Sequence, residues 1–485
     1  MHFRVIIRFI GMLILFLGMS MALPLIVSFI YKDGSTQAIS LSMLSTCLTG
    51  FILFLCTENR GENGENHLSH RDGIAIVTIG WIMAGFFGML PFILSSVIPD
   101  FTNAYFESMS GFTTTGSSIL KDIDRLPCGI LLWRSQTQWL GGMGIIVLSI
   151  AILPFLGVGG MQLYKAEIPS PVVDKLKPRI SETAKTLWKT YLMLTVAEIF
   201  LLLAGGMSFF DSLCHAFCTL PTGGFSTKTA SVAYFNNQYH DFIIVLFMLF
   251  AGINFSLHFR LFHGDFKIFG KDPECRWFLL LVVIFTIIIT VNIYGSIYSS
   301  LAEAFRYAAF QMTSIITTTG FVTADYDKWP ALSKLILLIC MFTGAMAGST
   351  GGGIKIMRIV LLIKHSYHEI FRIIHPHAVT TVKLGDTPVP AQVLSSIWGF
   401  LILYLGLFII ATLAMASLGL DMISALASVA ASIGNIGPGL GIVGPAENYL
   451  AIPETGKWIL IFCMLLGRLE IYTVIVLFTP AFWRK

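Results

Sequence analysis

Charge is scarce in this 485-residue chain. Asp, Glu, Lys and Arg make up 12% of it, against 55% hydrophobic residues. Soluble globular domains carry roughly 25% charge, so that class is excluded: the apolar surface is too large for the polar cover available. The net charge of +4 is too small to mark a nucleic-acid partner. Paired cysteines are missing too. Cys47, Cys56, Cys128, Cys214, Cys218, Cys275, Cys340 and Cys463 are scattered, mostly in apolar runs, with no CxxC spacing, which leaves neither a disulfide framework nor a structural metal site. Paired acids or a nucleophile–base set at facing positions are also lacking, which argues against an intramembrane enzyme.

What is present is a series of long hydrophobic runs, near 5–30, 38–57, 73–98, 133–157, 186–208, 241–262, 277–299, 333–364, 391–419 and 457–480. Each meets the threshold of roughly 20 apolar residues for a membrane span. The first is longer than a signal-peptide core and reads as a retained helix. Most of the Lys and Arg fall on the side of the N-terminus, in the loops 158–189 (Lys165, Lys175, Lys177, Arg179, Lys185, Lys189), 260–276 and 355–383. That asymmetry puts both termini in the cytoplasm. Arg134, Arg306 and Arg468 lie in or against the membrane. The fold expected is an all-α polytopic membrane protein.

Between some spans lie shorter, semi-apolar stretches, too short to cross and suited to re-entrant helices. They end SGFTTTGSS (110–118), CTLPTGGFST (218–227), SIITTTGFVT (314–323) and ASIGNIGPGL (431–440). Aligned on one glycine each, they place Gly116, Gly223, Gly320 and Gly437 in register. Each is followed by a span with a small-residue notch: WLGGMG at 139–144, FAGIN at 250–254, FTGAMAG at 342–348 and LLGRLE at 465–470. Four span–pore helix–span units therefore follow two extra N-terminal helices (1–71), with boundaries at 72–183, 184–275, 276–389 and 390–485. A single glycine in a membrane helix is as readily a packing notch; four in equivalent places are harder to explain that way.

Non-helical backbone at membrane depth is tolerated where it is buried or lines a wet cavity. Four such turns in a pseudo-fourfold arrangement around one pore would offer backbone oxygens in place of a cation's water shell. The candidates are Thr114, Thr115 and Gly116; Pro221, Thr222 and Gly223; Thr318, Thr319 and Gly320; and Asn435, Ile436 and Gly437. Each short helix begins near an acid (Asp100, Asp211, Glu303, Asp421), which complements its dipole and leaves the partially negative end toward the turn. The same acids serve equally well as ordinary caps.

Residues 344–355 read GAMAGSTGGGIK, inside a membrane-grade run. A phosphate loop would need lysine directly after its last glycine and a strand before it. Here Ile354 separates Gly353 from Lys355, and the flanks are apolar. Close helix packing and a moving part remain. The other three inner helices are expected to continue past their notches, so a break at Gly344, Gly348, Ser349, Thr350, Gly351, Gly352 and Gly353 is best tolerated facing a pore below the turns. Arg468, an ionisable residue within a span, is a functional candidate. It is either a barrier to cations or an anchor for an ion pair or the loop carbonyls. Glu470, two residues on, cannot share its helix face. Glu198 reads as hydrogen-bonded to a neighbour. His365 and His368, on the basic stretch 364–377, lack a third metal ligand; that stretch reads as a solvated helix running into the cytosol.

Taken together, TTTG, PTGG, TTTG and NIGPG at the turns, the two extra N-terminal helices, GSTGGGIK and LLGRLE make the chain resemble the Trk/Ktr/HKT superfamily of K+ transporters, and within it the TrkH branch. The resemblance covers nearly the whole chain. It implies potassium ion uptake across the bacterial inner membrane, with K+ as the transported ion and no bound organic cofactor. It also implies a homodimer with one pore per chain, a gating loop at 344–353, and a TrkA-like cytoplasmic ring that binds nucleotides or NAD. Relatives with serine at the first turn glycine lean toward sodium; glycine at all four turns favours K+. GNIGPG departs furthest from the Thr-Gly pattern. A K+ or Na+ symporter coupled to H+ is the alternative.

Overall fold

The architecture turns the soluble pattern inside out. Large apolar side chains such as Leu44, Phe200, Val291, Ile402, Ile410 and Leu413 are exposed, while Ser108, Ser110, Thr113, Gln138, Ser314 and Thr319 are buried. The computed structural model describes residues 1–57, 69–151, 176–377, 381–385 and 387–484. Residues 158–175 of the first basic loop and the end of the 133–157 run lie outside them.

The chain is mostly helical. Helices α1 (Phe3–Ser20) and α2 (Ala22–Tyr31) form one interrupted span that packs on α3 (Thr36–Cys56). Small residues set that contact: a Cβ on Gly11 would stand 3.1 Å from the Gly50 carbonyl, and one on Gly18 would stand 2.6 Å from Cys47 Sγ. Where lipid is as apolar as the helices, such close approach is the main source of attraction. Asp33, in the turn before α3, accepts from Gly129 N at 2.6 Å and so ties this hairpin to the main body. Burial works to raise its pKa, but hydrogen bonds from Gly129, Ser28 and Ser35 outweigh it and hold the carboxyl below its ordinary value.

Helices α4 (His70–Gly88) and α5 (Leu90–Leu94) lead to the short α6 (Phe101–Phe112) and then α7 (Cys128–Ala151). The pattern returns with α8 (Leu176–Ala204), α9 (Phe209–Thr219), α10 (Gln238–Gly252) and α11 (Phe255–Phe262). It returns again with α12 (Pro273–Ile293), α13 (Leu301–Ile316), α14 (Ala331–Thr343) and α15 (Ile356–Ile374), and finally with α16 (Ala391–Ser417), α17 (Met422–Ile433), α18 (Glu454–Arg468) and α19 (Ile471–Ile475). A two-stranded antiparallel ribbon, Lys383–Leu384 against Thr387–Pro388, precedes α16. Among the described residues six helices are long and apolar enough to cross a membrane, or up to eight if each bent pair is one span.

One expectation holds and one fails. The 333–364 run breaks at its glycines as expected: α14 stops at Thr343 and α15 starts at Ile356. The second and fourth inner helices do not continue past their notches: α10 and α11 meet at 104°, and α18 and the segment Ile471–Phe478 at 116°. Asn254 stands at one bend and Arg468 and Glu470 at the other, but apolar residues resume directly after each, so hydropathy averaged over a span does not register the change of direction.

Candidate functional site

The four short helices α6, α9, α13 and α17 are capped as their sequences dictate. Asp100 and Asp421 are N-caps whose carboxylates accept from Asn103 N (2.8 Å) and Ser424 N (3.2 Å). Hydrogen bonds from Ser424 keep the Asp421 carboxyl below its usual pKa. Asp211 and Glu303 lie in the first turn instead, behind Ser208 and Ser300. In every case negative charge sits at the helix N-terminus and complements the dipole.

Past each helix the backbone makes the same turn. Thr114, Thr222, Thr318 and Asn435 have φ of 50°, 58°, 60° and 54°, and Gly116, Gly224, Gly320 and Gly437 have φ of 81°, 75°, 83° and 101°. The residue between them donates back to the helix each time: Thr115 N to Ser110 O, Gly223 N to Cys218 O and Thr319 N to Ser314 O at 2.8 Å, and Ile436 N to Ala431 O at 2.9 Å. A left-handed conformation at a non-glycine residue costs of order 1–3 kcal/mol and persists where the surroundings over-determine it. The pattern corrects the alignment of the second turn by one residue: the partner of Gly116, Gly320 and Gly437 is Gly224, and Gly223 matches Thr115. Pro221 falls before the turn proper.

The glycines are required for space as well as for φ. A Cβ on Gly116 would strike the Gly223 carbonyl oxygen, one on Gly224 that of Thr319, one on Gly320 that of Ile436, and one on Gly437 that of Thr115. Each turn abuts the next in chain order, and the fourth abuts the first. The turns are buried except at Gly116 and Gly224, which are half-buried. Asn435, the non-threonine member, donates to Thr115 Oγ1 (3.0 Å) and to Met464 O (2.9 Å).

Residues 344–355 lie against these turns. Gly344, Gly348, Gly353 and Lys355 have positive φ. Gly352 N donates to Thr318 Oγ1 at 2.7 Å, and Thr350 Oγ1 donates to Leu220 O at 2.8 Å, just before the second turn. A Cβ on Gly351 would stand 3.0 Å from Thr317 O, and one on Gly352 would strike Gly434 O. The segment is held at its ends by charge. Glu274 accepts from Ala347 N (2.8 Å) and Met357 N (3.2 Å), Lys355 Nζ donates to Gly351 O, and Arg358 pairs with Glu470 at 2.8 Å. Ser349 Oγ donates to Met346 O within the segment at 2.6 Å.

Arg468 ends α18, buried, and its guanidinium donates to the Thr350 carbonyl at 2.6 Å and to Gly141 O at 3.5 Å. Of the two readings open from sequence, contact with the loop carbonyls is the one observed. Glu470 has its own partner, Arg358. Glu198 is fully buried on α8. The Thr219 hydroxyl lies beside it but donates to His215 O, so neither carboxyl oxygen has a hydrogen-bond partner, contrary to expectation. The roles of Glu274, Lys355 and Arg358 were missed; the charge of Lys355 and Arg358 inside the apolar run 333–364 was the available signal, while Glu274 lies in the charged loop 260–276 and does not stand out.

Comparison with known proteins agrees with this geometry. The family model TrkH, described as a cation transport protein, matches residues 34–485. The Trk system potassium uptake protein TrkH of Salmonella typhimurium is 47% identical over 493 residues, and that of Escherichia coli K12 is 46% identical over 492, each over 100% of both chains. The crystal structure of the potassium transporter TrkH from Vibrio parahaemolyticus superposes with a TM-score of 0.90 at 40% identity, over 100% of both chains. This multi-pass membrane protein belongs to the TrkH family, whose members are transporters and not enzymes.

Proposed function

We propose that the chain takes up potassium across the bacterial inner membrane through one gated, channel-like pore. The four turns form its selectivity filter in a pseudo-fourfold arrangement. The observation that carries this reading is the closed ring of turn-to-turn contacts made by Gly116, Gly224, Gly320 and Gly437 with identical backbone signs. The backbone oxygens of Thr114–Gly116, Thr222–Gly224, Thr318–Gly320 and Asn435–Gly437 replace the water shell of K+. Names of close relatives, potassium uptake proteins over the full chain length, support the choice of ion.

Residues 344–353 act as the gate. Their hydrogen bonds to Leu220, Ala251 and Thr318 lay backbone across the space beneath the turns, and Arg468 fixes the closed position through Thr350 O. A TrkA-like nucleotide-binding ring on the cytoplasmic side, acting on the stretch 364–377, would draw the segment aside; the chain works as a homodimer with cytoplasmic termini. The buried, unpartnered Glu198 favours one second reading, a carrier coupled to H+. Purified protein in liposomes separates the two. Radioactive Rb+ should enter down a K+ gradient with no pH gradient imposed; strict dependence on a proton gradient would favour the carrier, and no cation flux would overturn both.

A further inference from the structure

Each short helix carries one buried polar residue at the same interval before its turn glycine: Glu107 before Gly116, His215 before Gly224, Gln311 before Gly320 and Ser428 before Gly437. Three of them reach across to the extended backbone that follows the turn of their own unit. Glu107 accepts from Ser118 Oγ and Ile119 N, both at 3.0 Å. His215 donates from Nδ1 to Asp211 O at 2.7 Å, which leaves Nε2 to accept from Ser226 Oγ at 3.1 Å. Gln311, with its amide oxygen toward the chain, accepts from Thr323 N at 2.6 Å and Ala324 N at 3.2 Å. The first two are linked: Arg134 donates to Glu107 at 2.7 Å and to Ser226 O at 2.9 Å, and stacks on Phe225 at 3.7 Å.

The fourth position breaks the pattern. Ser428 turns back to Ala425 O at 3.2 Å. The fourth turn is held instead at Gly437 O, which accepts from Tyr449 Oη, further along its own unit, at 2.6 Å and from Ser117 Oγ of the first unit at 3.3 Å.

We propose that Glu107, His215 and Gln311 are positioning residues that set ion selectivity. Each is a strut between the rigid short helix and the outer limb of its turn, fixing where the turn's oxygens stand. The fourth unit dispenses with the strut. The proposal rests on reading the turns as a K+ filter. A strut acts by limiting how far the oxygens can close on a smaller ion, so its loss should admit Na+ more than it slows Rb+.

The test is the ratio of Rb+ to Na+ uptake in liposomes containing the full chain. Gln311→Met keeps the volume and removes the acceptor of both Thr323 N and Ala324 N; the ratio should fall at least about fivefold, the effect of losing even one of these buried hydrogen bonds. Ser428→Ala should leave it unchanged. Should Gln311→Met not be recovered from the membrane, Ser226→Ala, which removes the hydroxyl between His215 and Lys228 N, carries the test with a fall of about twofold. An unchanged ratio in these variants overturns the proposal while leaving the filter reading intact, as does an equal fall in Ser428→Ala. A wild-type chain that takes up neither ion, or both equally, overturns the filter reading itself.

Discussion

The four turns are the same, and the four inner helices beneath them are not. Every turn repeats one pattern of left-handed residues and one backbone hydrogen bond to its helix. Of the helices below, α7 runs straight through its notch, α10 and α18 bend sharply over two residues, and α14 is interrupted from Gly344 to Lys355. Repetition sits where an ion would need equivalent ligands from all sides. Difference sits where a single obstruction suffices. A gate built into all four helices would have to open four times; one built into the third opens once.

Shortening residues 346–352 tests that division most directly and should have the largest effect. If that segment is the proposed gate, Rb+ uptake by the chain alone should rise at least tenfold, because the broken contacts with Leu220, Thr318 and Arg468 are each worth about 1 kcal/mol or more. Uptake at the wild-type level would leave close packing as the explanation of the glycines.

The sameness of the turns is tested at the second one. Gly224→Ala forces an alanine to φ of 75° and drives its Cβ onto the Thr319 carbonyl; Gly223→Ala needs no positive φ and meets only the amide end of the Gln138 side chain, at the cost of that amide's bonds to Gly223 O and Phe225 N. Gly224→Ala should therefore abolish selective Rb+ uptake, while Gly223→Ala retains most of it. The reverse order would restore the alignment on Gly223.

Arg468→Ala comes next. It removes a charge-assisted hydrogen bond to Thr350 O, worth about 1.5–3 kcal/mol, and should raise partner-free uptake about tenfold. Arg468→Lys should fall between. An inactive but well-folded alanine variant would show that the arginine supports the conducting form instead.

These comparisons also show what the sequence could carry. TTTG written twice, with a glycine turn at matching intervals, made the repeat legible, because the last residue of each turn needs both a positive φ and room against the next turn's carbonyl, which only glycine provides. PTGG offers two adjacent glycines, and nothing in one chain says which takes the positive φ; the register error came from there. The bends at Ile253–Asn254 and Leu469–Glu470 are marked only by Asn254 and by Arg468 and Glu470, and a polar residue between apolar stretches does not say that the helix turns there. Arg468 was visible as a misplaced charge, but its partner is a backbone carbonyl far along the chain, and backbone has no letter of its own. The struts escaped notice for a related reason: Glu, His, Gln and Ser share no chemistry until their equivalent positions are seen.

The short bend in the second unit supplies the smallest effect and the sharpest contrast with the long break in the third. Asn254 caps α11, accepting from Ser256 N at 2.9 Å, and Phe255 N donates to Gly348 O at 3.1 Å. Two groups thus satisfy the backbone freed by a 104° turn, and no chain is left over to lie across the pore. Asn254→Ala should then cost about 1 kcal/mol of stability, the usual loss of an N-cap, seen as a lower thermal midpoint in detergent. Asn254→Asp, which keeps the cap, should recover it. Partner-free Rb+ uptake should stay within about twofold of wild type in both. If Asn254→Ala instead raised uptake as the shortened loop does, the bend would be part of the gate, and the distinction between a helix that merely turns and one that opens would not hold.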